Sequence, residues 1–186
     1  STGSGKSTLI QLIPRFYDVT GGRVLINGVD VRQMNSHELR EHIGFVAQKA
    51  NLFSGTIEEN IRFGREDATD EEVRHAAEIA QAMDFIMDKP NGFQEKIVEG
   101  AGNLSGGQKQ RLSITRALVR KPDIYIYDDS FSALDMKTDA LLRQALKSEV
   151  KNAVVIIVAQ RVSTIMDADQ ILVLDEGRLA AMGRHK

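Results

Sequence analysis

A glycine-rich segment at the start of the chain restricts the fold more than any other feature. Glycines let backbone N–H groups converge on phosphate oxygens, and a helix that follows directs the positive end of its dipole to the same place. The lysine of such a segment reaches the β- and γ-phosphates of a nucleotide, and the next hydroxyl can ligate Mg²⁺. Here an apolar helical stretch continues to Phe16, which favours a phosphate site over a flexible Gly/Ser linker. The predicted phosphate loop consists of Gly3, Ser4, Gly5, Lys6, Ser7 and Thr8.

The match to the phosphate-loop pattern starts at the first residue. Ser1–Thr8 fit the end of G-x-x-x-x-G-K-[ST], and the leading glycine would fall one residue before Ser1. We therefore expect the domain to be truncated at its N-terminus.

A carboxylate that can hold the metal ion follows an apolar strand much later in the chain. Ile124–Tyr127 read as a buried strand, and Asp128 ends it. Because Mg²⁺ keeps several of its waters, Asp128 would bind it through water. Aspartates at strand ends are often only turn formers, but this alternative weakens when a phosphate loop is present. Since both groups would serve one nucleotide, we expect Lys6 and Asp128 to lie close together.

Short β-branched runs alternate with helical stretches, which predicts an α/β fold with a mostly parallel sheet covered by helices. A tight turn at Asp175–Arg178 predicts a terminal hairpin. Residues 49–119 are mostly helical and lack a clear strand, so we interpret them as a helical lobe inserted between core segments 1–48 and 120–186. The predicted strands are Arg23–Asn27, Gly44–Ala47, Ile124–Tyr127, Ala153–Ala159 and Gln170–Leu174.

Composition excludes several classes of protein. The chain has 42% apolar and 27% charged residues, which is ordinary for a globular domain. It has no cysteine, so thiolate catalysis and cysteine zinc sites are excluded. A net charge of -2 gives no electrostatic case for binding nucleic acid. The longest apolar run, Ala153–Ala159, is far shorter than the roughly 18 residues of a membrane span.

A second glycine turn, before another helical stretch, is the most specific motif in the chain. Leu104-Ser105-Gly106-Gly107-Gln108 resembles the signature motif of ATP-binding cassette (ABC) proteins. Physically it is a second anion cradle, in which Ser105 and the amides of Gly106 and Gly107 precede a helix that starts at Gln108. A Ser-Gly-Gly helix cap would be unremarkable by itself. The order and spacing relative to the phosphate loop and Asp128 make it a family motif.

The same resemblance covers essentially the whole chain and is closest to exporter-type members. It implies that Gln48 is the glutamine that ligates Mg²⁺ and takes part in catalysis, and that Ser132–Asp135 form the dimer-contacting D-loop. Asn51–Asn60 are similar to the segment that faces the membrane domains in exporters, and Glu99 is placed like their acidic residue before the signature. At Gly100-Ala101 the chain departs from the more usual Arg-Gly.

The resemblance also implies an architecture, a pair of cofactors and a location. Two nucleotide-binding domains meet head to tail and enclose two ATP molecules with Mg²⁺, each between one phosphate loop and the other domain's signature. A transmembrane domain lies upstream, and the pair works at the cytoplasmic face of the plasma or inner membrane, powering export. The aromatic residue that stacks on adenine lies upstream of this sequence.

Two positions depart from the family pattern. Asp129 stands where a glutamate usually polarises the attacking water, and Gln160 stands where the switch residue is usually histidine. An aspartate carboxylate is one methylene shorter, and a misplacement of about 1 Å can cost on the order of 10²-fold in rate. Glutamine donates a hydrogen bond but takes no charge near neutral pH. We therefore expect a site that binds MgATP and hydrolyses it slowly, as in the degenerate half of a heterodimeric multidrug exporter.

Three alternatives remain open at the level of sequence. The chain could form a fully active homodimer that tolerates Asp129, or serve as a regulatory module that binds ATP without hydrolysing it. It could also be a soluble cassette ATPase acting on DNA or ribosomes. No sustained heptads separate the phosphate loop from the signature, which argues against the chromosome-type members of that last class.

Overall fold

The computed structural model describes residues 3–185; Ser1, Thr2 and Lys186, including the first two positions of the predicted phosphate motif, lie outside this range. The helices are α1 (Lys6–Gln11), α2 (Ser36–Glu41), α3 (Ile57–Arg62), α4 (Asp70–Ile79), α5 (Met83–Asp88), α6 (Gly106–Val119), α7 (Met136–Glu149) and α8 (Val162–Ile165). The strands are β1 (Leu25–Ile26), β2 (Val29–Asp30), β3 (Ile43–Val46), β4 (Gly55–Thr56), β5 (Lys96–Ile97), β6 (Ile124–Asp128), β7 (Val154–Val158), β8 (Ile171–Asp175) and β9 (Arg178–Gly183).

A parallel sheet with the order β3-β6-β7 organises the fold. β6 lies in its centre, and Ile126 and Tyr127 are fully buried there, as expected for a strand covered on both faces. All three strands run the same way, so their carboxyl ends share one edge of the sheet. Gln48, Asp129 and Gln160 follow those ends. These residues therefore lie in one region of the surface.

Side-chain caps fix the starts of the helices that frame the sheet. Thr56, Thr69 and Ser105 each form a capping box, in which the cap hydroxyl accepts an N–H three residues on and that residue's side chain accepts the cap N–H. Asn35 caps α2 by accepting from the amides of His37 and Glu38. Caps of this kind contribute about 1 kcal/mol each and start the helices at defined residues.

The buried apolar residues in the described part of the chain form two clusters. The smaller one joins α1, α2 and β3 around Ile10, Leu39 and Ile43. The larger one runs from α3 and α4 through α6 to β6 and α7, so the helical segment and the sheet share a core. α6 packs against both α3 and α4 and connects them to β3. The division into a core (1–48 and 120–186) and a helical lobe (49–119) stays a prediction.

Several local boundaries differ from the sequence-based predictions. The first helix is regular only to Gln11 and then passes into turns before Phe16. The spacing of apolar residues over 71–83 predicts a single helix, but the structure has two, because Gln81 takes a left-handed φ of 58° between α4 and α5. Residues 49–119 also contain a pair of two-residue strands, β4 and β5, which join antiparallel. Two-residue strands carry no alternation pattern, so the sequence gives no sign of them.

The predicted terminal hairpin is present, with β8 and β9 antiparallel. Its two-residue turn has Glu176 at φ 47° and Gly177 at φ 76°, as in a type I′ turn, whose twist matches that of the strands. The turn reaches the phosphate loop, where the amide of Gly177 donates to the carbonyl of Ser4 at 3.0 Å. Within residues 3–185, no helix has both the length and the apolar character to cross a membrane.

Candidate functional site

The phosphate loop is shaped by backbone conformations that require glycine. Gly3 and Gly5 have φ values of 82° and 93°, a region that L side chains rarely adopt. Gly5 directly precedes α1, so Lys6 is its first helical residue. Ser4 is buried between them, and its carbonyl is held by the hairpin amide. The loop is therefore held by α1, which follows it, and by the terminal hairpin.

The structure brings Ser7 and Asp128 together although 121 residues separate them. The Ser7 hydroxyl donates to Asp128 Oδ1 at 3.0 Å, and Asp128 is only 7% exposed at the end of β6. The expected proximity of the phosphate loop to this carboxylate is thus observed. Two oxygen groups in contact beside a loop of amides fit Mg²⁺, which prefers oxygen ligands and shares its coordination with phosphates and water. Their role as metal ligands stays a prediction.

Gln48 and Asp129 form a second pair beside the first. Gln48 Nε2 donates to Asp129 Oδ2 at 3.1 Å. The backbone of Asp129 is left-handed, with φ 51°, and its amide donates to the carbonyl of Val158 at 2.7 Å, which fixes the carboxylate relative to β7. Burial raises the pKa of the Asp129 carboxyl, and the neighbouring charge of Asp128 raises it further, while Lys6 opposes both. A raised pKa moves this group towards the range in which a carboxylate acts as a base.

Two buried polar residues that sequence reasoning missed hold this edge of the sheet. Gln110, on α6, donates to the backbone carbonyls of Ala47 and Gln48. Ser130 donates to the carbonyl of Val46 at 2.7 Å and is fully buried. Together they fix the end of β3 against α6 and against the segment after β6. The sequence gives no signal of this role, because Gln110 lies between two charged residues and Ser130 follows two aspartates.

The signature segment lies at the start of α6, and its hydrogen bonds are separate from those of the phosphate loop. The Ser105 hydroxyl accepts from the amide of Gln108 at 3.1 Å, and the Gln108 side chain accepts from the amide of Ser105 at 3.1 Å. Ser105 and Gly106 are exposed. A Cβ built on Gly107 would lie 3.2 Å from the carbonyl oxygen of Ala133, so the glycine permits a close approach to the D-loop. Within residues 3–185, no hydrogen bond joins residues 105–108 to the phosphate loop.

Gln160 is exposed just beyond β7, and its neighbour Arg161 is firmly anchored. Arg161 donates to the carbonyl of Phe131 at 2.5 Å and lies 3.4 Å from the carboxylate of Asp139. Asp139 also pairs with Arg143 at 2.8 Å. This network was not predicted from the sequence. The Asp139–Arg143 spacing of four residues on one helix was the one available sign of it.

A parallel sheet, a glycine loop leading into a helix, and a carboxylate at the end of the adjacent central strand together define a P-loop nucleoside triphosphatase fold. Comparison with known proteins identifies the family within this class. The family model described as ABC transporter matches residues 1–132. The chain therefore belongs to the ABC transporter family.

The chain resembles full-length exporters, of which it spans about a third. It is 48% identical over 185 residues to a putative multidrug export ATP-binding/permease protein of Staphylococcus aureus, covering 100% of the chain and 32% of the relative. It is 46% identical to an ATP-dependent lipid A-core flippase of Chromobacterium violaceum, with the same coverage. A solved structure of a bacterial Atm1-family ABC exporter with ATP bound superposes with a TM-score of 0.96 at 42% identity, covering 100% of this chain and 32% of that one. The fold is thus that of the nucleotide-binding domain of an ABC exporter.

Proposed function

We propose that this chain is the ATP-binding and ATP-hydrolysing motor domain of an ABC exporter. The observation that carries the proposal is the meeting of Ser7 with Asp128 and of Gln48 with Asp129 at one edge of the sheet. Residues 1–48 and 120–186 form its nucleotide-binding core, and residues 49–119 form its helical subdomain. The domain works at the cytoplasmic face of a membrane, joined to an upstream transmembrane domain that selects the cargo.

Each residue of the site has a defined role in this proposal. The amides of Gly3–Thr8 and the ammonium of Lys6 bind the phosphates, and Ser7, Asp128 and Gln48 hold Mg²⁺. When bound, Mg²⁺ neutralises charge that develops on the phosphate oxygens. In hydrolysis a water oxygen bonds to the γ-phosphorus while the bond to the β-phosphate oxygen breaks. Asp129 orients that water and accepts its proton, and Gln160 donates a hydrogen bond to the γ-phosphate.

The chain's own site is slow in this proposal, and its signature serves a different nucleotide. Asp129 is a shorter base than the family's usual glutamate, and Gln160 carries no charge. The signature residues Ser105, Gly106, Gly107 and Gln108 would instead complete the site of a second, non-identical nucleotide-binding domain that keeps the usual residues. In such a heterodimer, the partner's site would hydrolyse ATP quickly and this chain's own site would hydrolyse it slowly.

A fully active homodimer is the second candidate, and one observation favours it. Asp129 is held at 3.1 Å by Gln48, and its raised pKa suits a general base. A carboxylate positioned in this way could compensate for its shorter reach. Brisk ATP turnover by a purified, full-length homodimer would decide for this candidate, and slow turnover would decide for the degenerate site.

The test of the assignment compares ATPase activity of the assembled heterodimer at saturating ATP. Gly107→Asp would place a carboxylate against the partner-bound γ-phosphate, and like charges in a closed site cost several kcal/mol, so activity should collapse. Gly107→Ala is the matched control, since its Cβ meets the same Ala133 carbonyl at 3.2 Å without adding a charge. Asp129→Asn should do far less, because it alters a site that contributes little chemistry. Lys6→Ala should fall between them, because it weakens ATP binding and therefore closure.

The outcomes separate the roles. If Asp129→Asn abolishes activity while Gly107→Asp is tolerated, the assignment of the two sites is reversed. If Gly107→Ala is as damaging as Gly107→Asp, the effect comes from the packed D-loop and not from charge at a nucleotide. If the unmodified assembly neither binds nor hydrolyses ATP, the motor function itself is wrong.

A further inference from the structure

We propose that Gln110 is a positioning residue for the metal site: it holds the backbone of Gln48 so that the Gln48 side chain can ligate Mg²⁺ and contact Asp129. The inference rests on the proposed function, because it assigns a purpose to a contact beside the chain's own nucleotide site. In this proposal Gln110 touches neither the nucleotide nor the metal ion, and it acts only through Gln48.

The hydrogen bonds of β3 to the sheet end just before Gln48. Val46 is the last residue of β3 and pairs with Tyr127 of β6. The carbonyl of Val46 accepts from the buried hydroxyl of Ser130 at 2.7 Å. The next two carbonyls, those of Ala47 and Gln48, lie beyond the strand. A donor that fixes the backbone there must therefore come from outside the sheet.

Gln110 supplies this donor from α6. It is 3% exposed, and its Nε2 donates to the carbonyl of Ala47 at 3.4 Å and also to the carbonyl of Gln48. Nε2 carries two hydrogens, so one amide can serve both bonds. The opposite orientation of the amide would place Oε1 against two carbonyl oxygens, so the contacts themselves determine which atom faces the loop.

A second side chain of α6 holds the same loop three residues later. Arg116 donates to the carbonyl of Asn51 at 3.0 Å. Residues 47–51 are thus bonded near both ends to one helix, and that helix is packed in the larger apolar cluster. The loop therefore takes its position from α6, and Gln110 is the contact at the end that carries Gln48.

The position of the Gln48 backbone determines what its side chain can reach. Gln48 Nε2 donates to Asp129 Oδ2 at 3.1 Å, so Oε1 is the end of the amide that remains for Mg²⁺. Mg²⁺ demands near-ideal octahedral coordination, so a displaced ligand weakens its binding. Because one amide serves both contacts, a shift of the backbone disturbs both. Groups that hold a metal ligand from behind typically cost about 10- to 100-fold in metal affinity or activity when they are replaced.

The bonds of Gln110 contribute more to position than to stability. Ala47 and Gln48 are both exposed, so water can reach this part of the loop. Carbonyls that lose the Gln110 amide can accept from water instead, and the net change in stability from such an exchange is modest. The role of Gln110 should therefore be visible in metal binding and not mainly in the melting temperature.

The experiment measures how much Mg²⁺ strengthens ATP binding to this chain in the full-length transporter. Azido-ATP is photo-crosslinked on ice, with Mg²⁺ or with EDTA, and the labelled chain is separated from any partner on a gel. The ratio of the two dissociation constants is the gain in affinity that Mg²⁺ provides. Gln110→Met keeps the length of glutamine and lacks the donor, and we expect it to reduce this gain by about 10-fold. Gln48→Ala should reduce the gain at least as much.

A double-mutant cycle tests whether Gln110 acts through Gln48. In the Gln48→Ala background, Gln110→Met should change the gain by less than about 2-fold, because no ligand remains to be positioned. Gln110→His should restore most of the gain, since histidine has a ring N–H the same number of bonds from Cα as the amide nitrogen of glutamine. Gln110→Asn is the second variant if Gln110→Met folds poorly. It keeps an amide but withdraws it from the carbonyls by one methylene, so it should also reduce the gain.

Ser113→Ala is the matched control on the same helix. Ser113 lies about one turn further along α6, is 5% exposed, and its hydroxyl has no hydrogen-bond partner within residues 3–185. The substitution alters a buried polar group of α6 without removing a hydrogen bond to the loop. The gain from Mg²⁺ should therefore stay within about 2-fold of the native value. Melting temperatures of all variants are measured alongside, so that a loss of stability is recorded separately.

The outcomes separate the inference from the proposed function. If Gln110→Met leaves the gain unchanged, with or without a lower melting temperature, the inference is overturned. The same holds if Ser113→Ala lowers the gain as much, if Gln48→Ala has no effect on it, or if the effects of Gln110→Met and Gln48→Ala multiply. In each of these cases labelling by azido-ATP still supports the proposed function. If the unmodified transporter is not labelled at all, the proposed function fails and this inference fails with it.

Discussion

Lengthening the proposed base should raise the rate of a slow site. In Asp129→Glu the added methylene advances the carboxylate by roughly 1 Å, and a gap of that size costs on the order of 10²-fold, or about 2.7 kcal/mol of barrier. Gln160→His restores a side chain that can carry charge at the γ-phosphate. The double variant should therefore increase kcat by about 10- to 100-fold in a full-length homodimer of this chain.

The structure also gives the opposing costs, and these affect mainly stability. Asp129 has a φ of 51°, a conformation that aspartate tolerates better than longer side chains do. A longer side chain would also move away from Gln48 Nε2, now at 3.1 Å, and lose a hydrogen bond of about 1 kcal/mol. Since the backbone strain is present in both the ground state and the transition state, it lowers the unfolding temperature and leaves the barrier largely unchanged. The gain in rate should therefore survive a modest loss of stability.

The assay is steady-state release of phosphate at saturating ATP, with nucleotide binding measured in parallel. Asp129→Asn serves as the control for whether the native carboxylate contributes at all. Gln160→His alone separates the switch residue from the base. A correctly folded double variant that binds ATP and shows no gain in kcat would refute the reasoning and mean that a step other than chemistry limits turnover.

Three further predictions concern the scaffold and are checked by thermal unfolding of the purified protein. Gly64→Ala should destabilise it by about 1–3 kcal/mol, because a Cβ there overlaps a backbone carbonyl of α6. Gly102→Ala is the control and should be close to neutral, since no other residue in the described range 3–185 comes within 4 Å of its Cβ. Asn60→Ala should cost about 2–4 kcal/mol, since the buried amide makes three hydrogen bonds to backbone groups at 3.0–3.1 Å; an unchanged melting temperature would contradict this. Hydrogen bonds from Lys121 and then from a neighbouring arginine lower the pKa of Glu72 to about 2, so its stabilising effect is present above the ordinary pKa and is lost as the pH falls towards 2. The difference in melting temperature between the native protein and Glu72→Gln should therefore shrink on acidification, and a constant difference would count against it.

The parts of the site that the sequence predicted are those set by local chemistry. The phosphate loop needs left-handed glycines next to a lysine, and Gly3 and Gly5 supply them within a few residues. A buried strand ending in a carboxylate is similarly local, as in β6 with Asp128. Because both groups would serve one nucleotide, they are expected to lie together whatever their separation in the sequence. The Ser7–Asp128 contact was therefore predictable in kind before it was seen.

Contacts between distant side chains were not predictable in this way. Gln48 and Asp129 are 81 residues apart, and Arg161 reaches a carbonyl 30 residues away. No periodicity in the sequence specifies which of several polar groups will meet once helices pack on the sheet. The break at Gln81 was missed for a related reason, because a left-handed residue between two apolar helical stretches leaves the hydrophobic pattern unchanged.

The hairpin turn at Glu176–Gly177 does not tolerate a change in length. Its two residues set the register of β8 against β9 and at the same time present the Gly177 amide to the Ser4 carbonyl at 3.0 Å. One inserted residue would turn the side chains of β9 to the opposite face and withdraw that amide from the phosphate loop. Glu176, by contrast, is exposed, so a fluorophore attached there would stand beside the phosphate loop without entering it. Such a probe would report nucleotide binding optically, one subunit at a time.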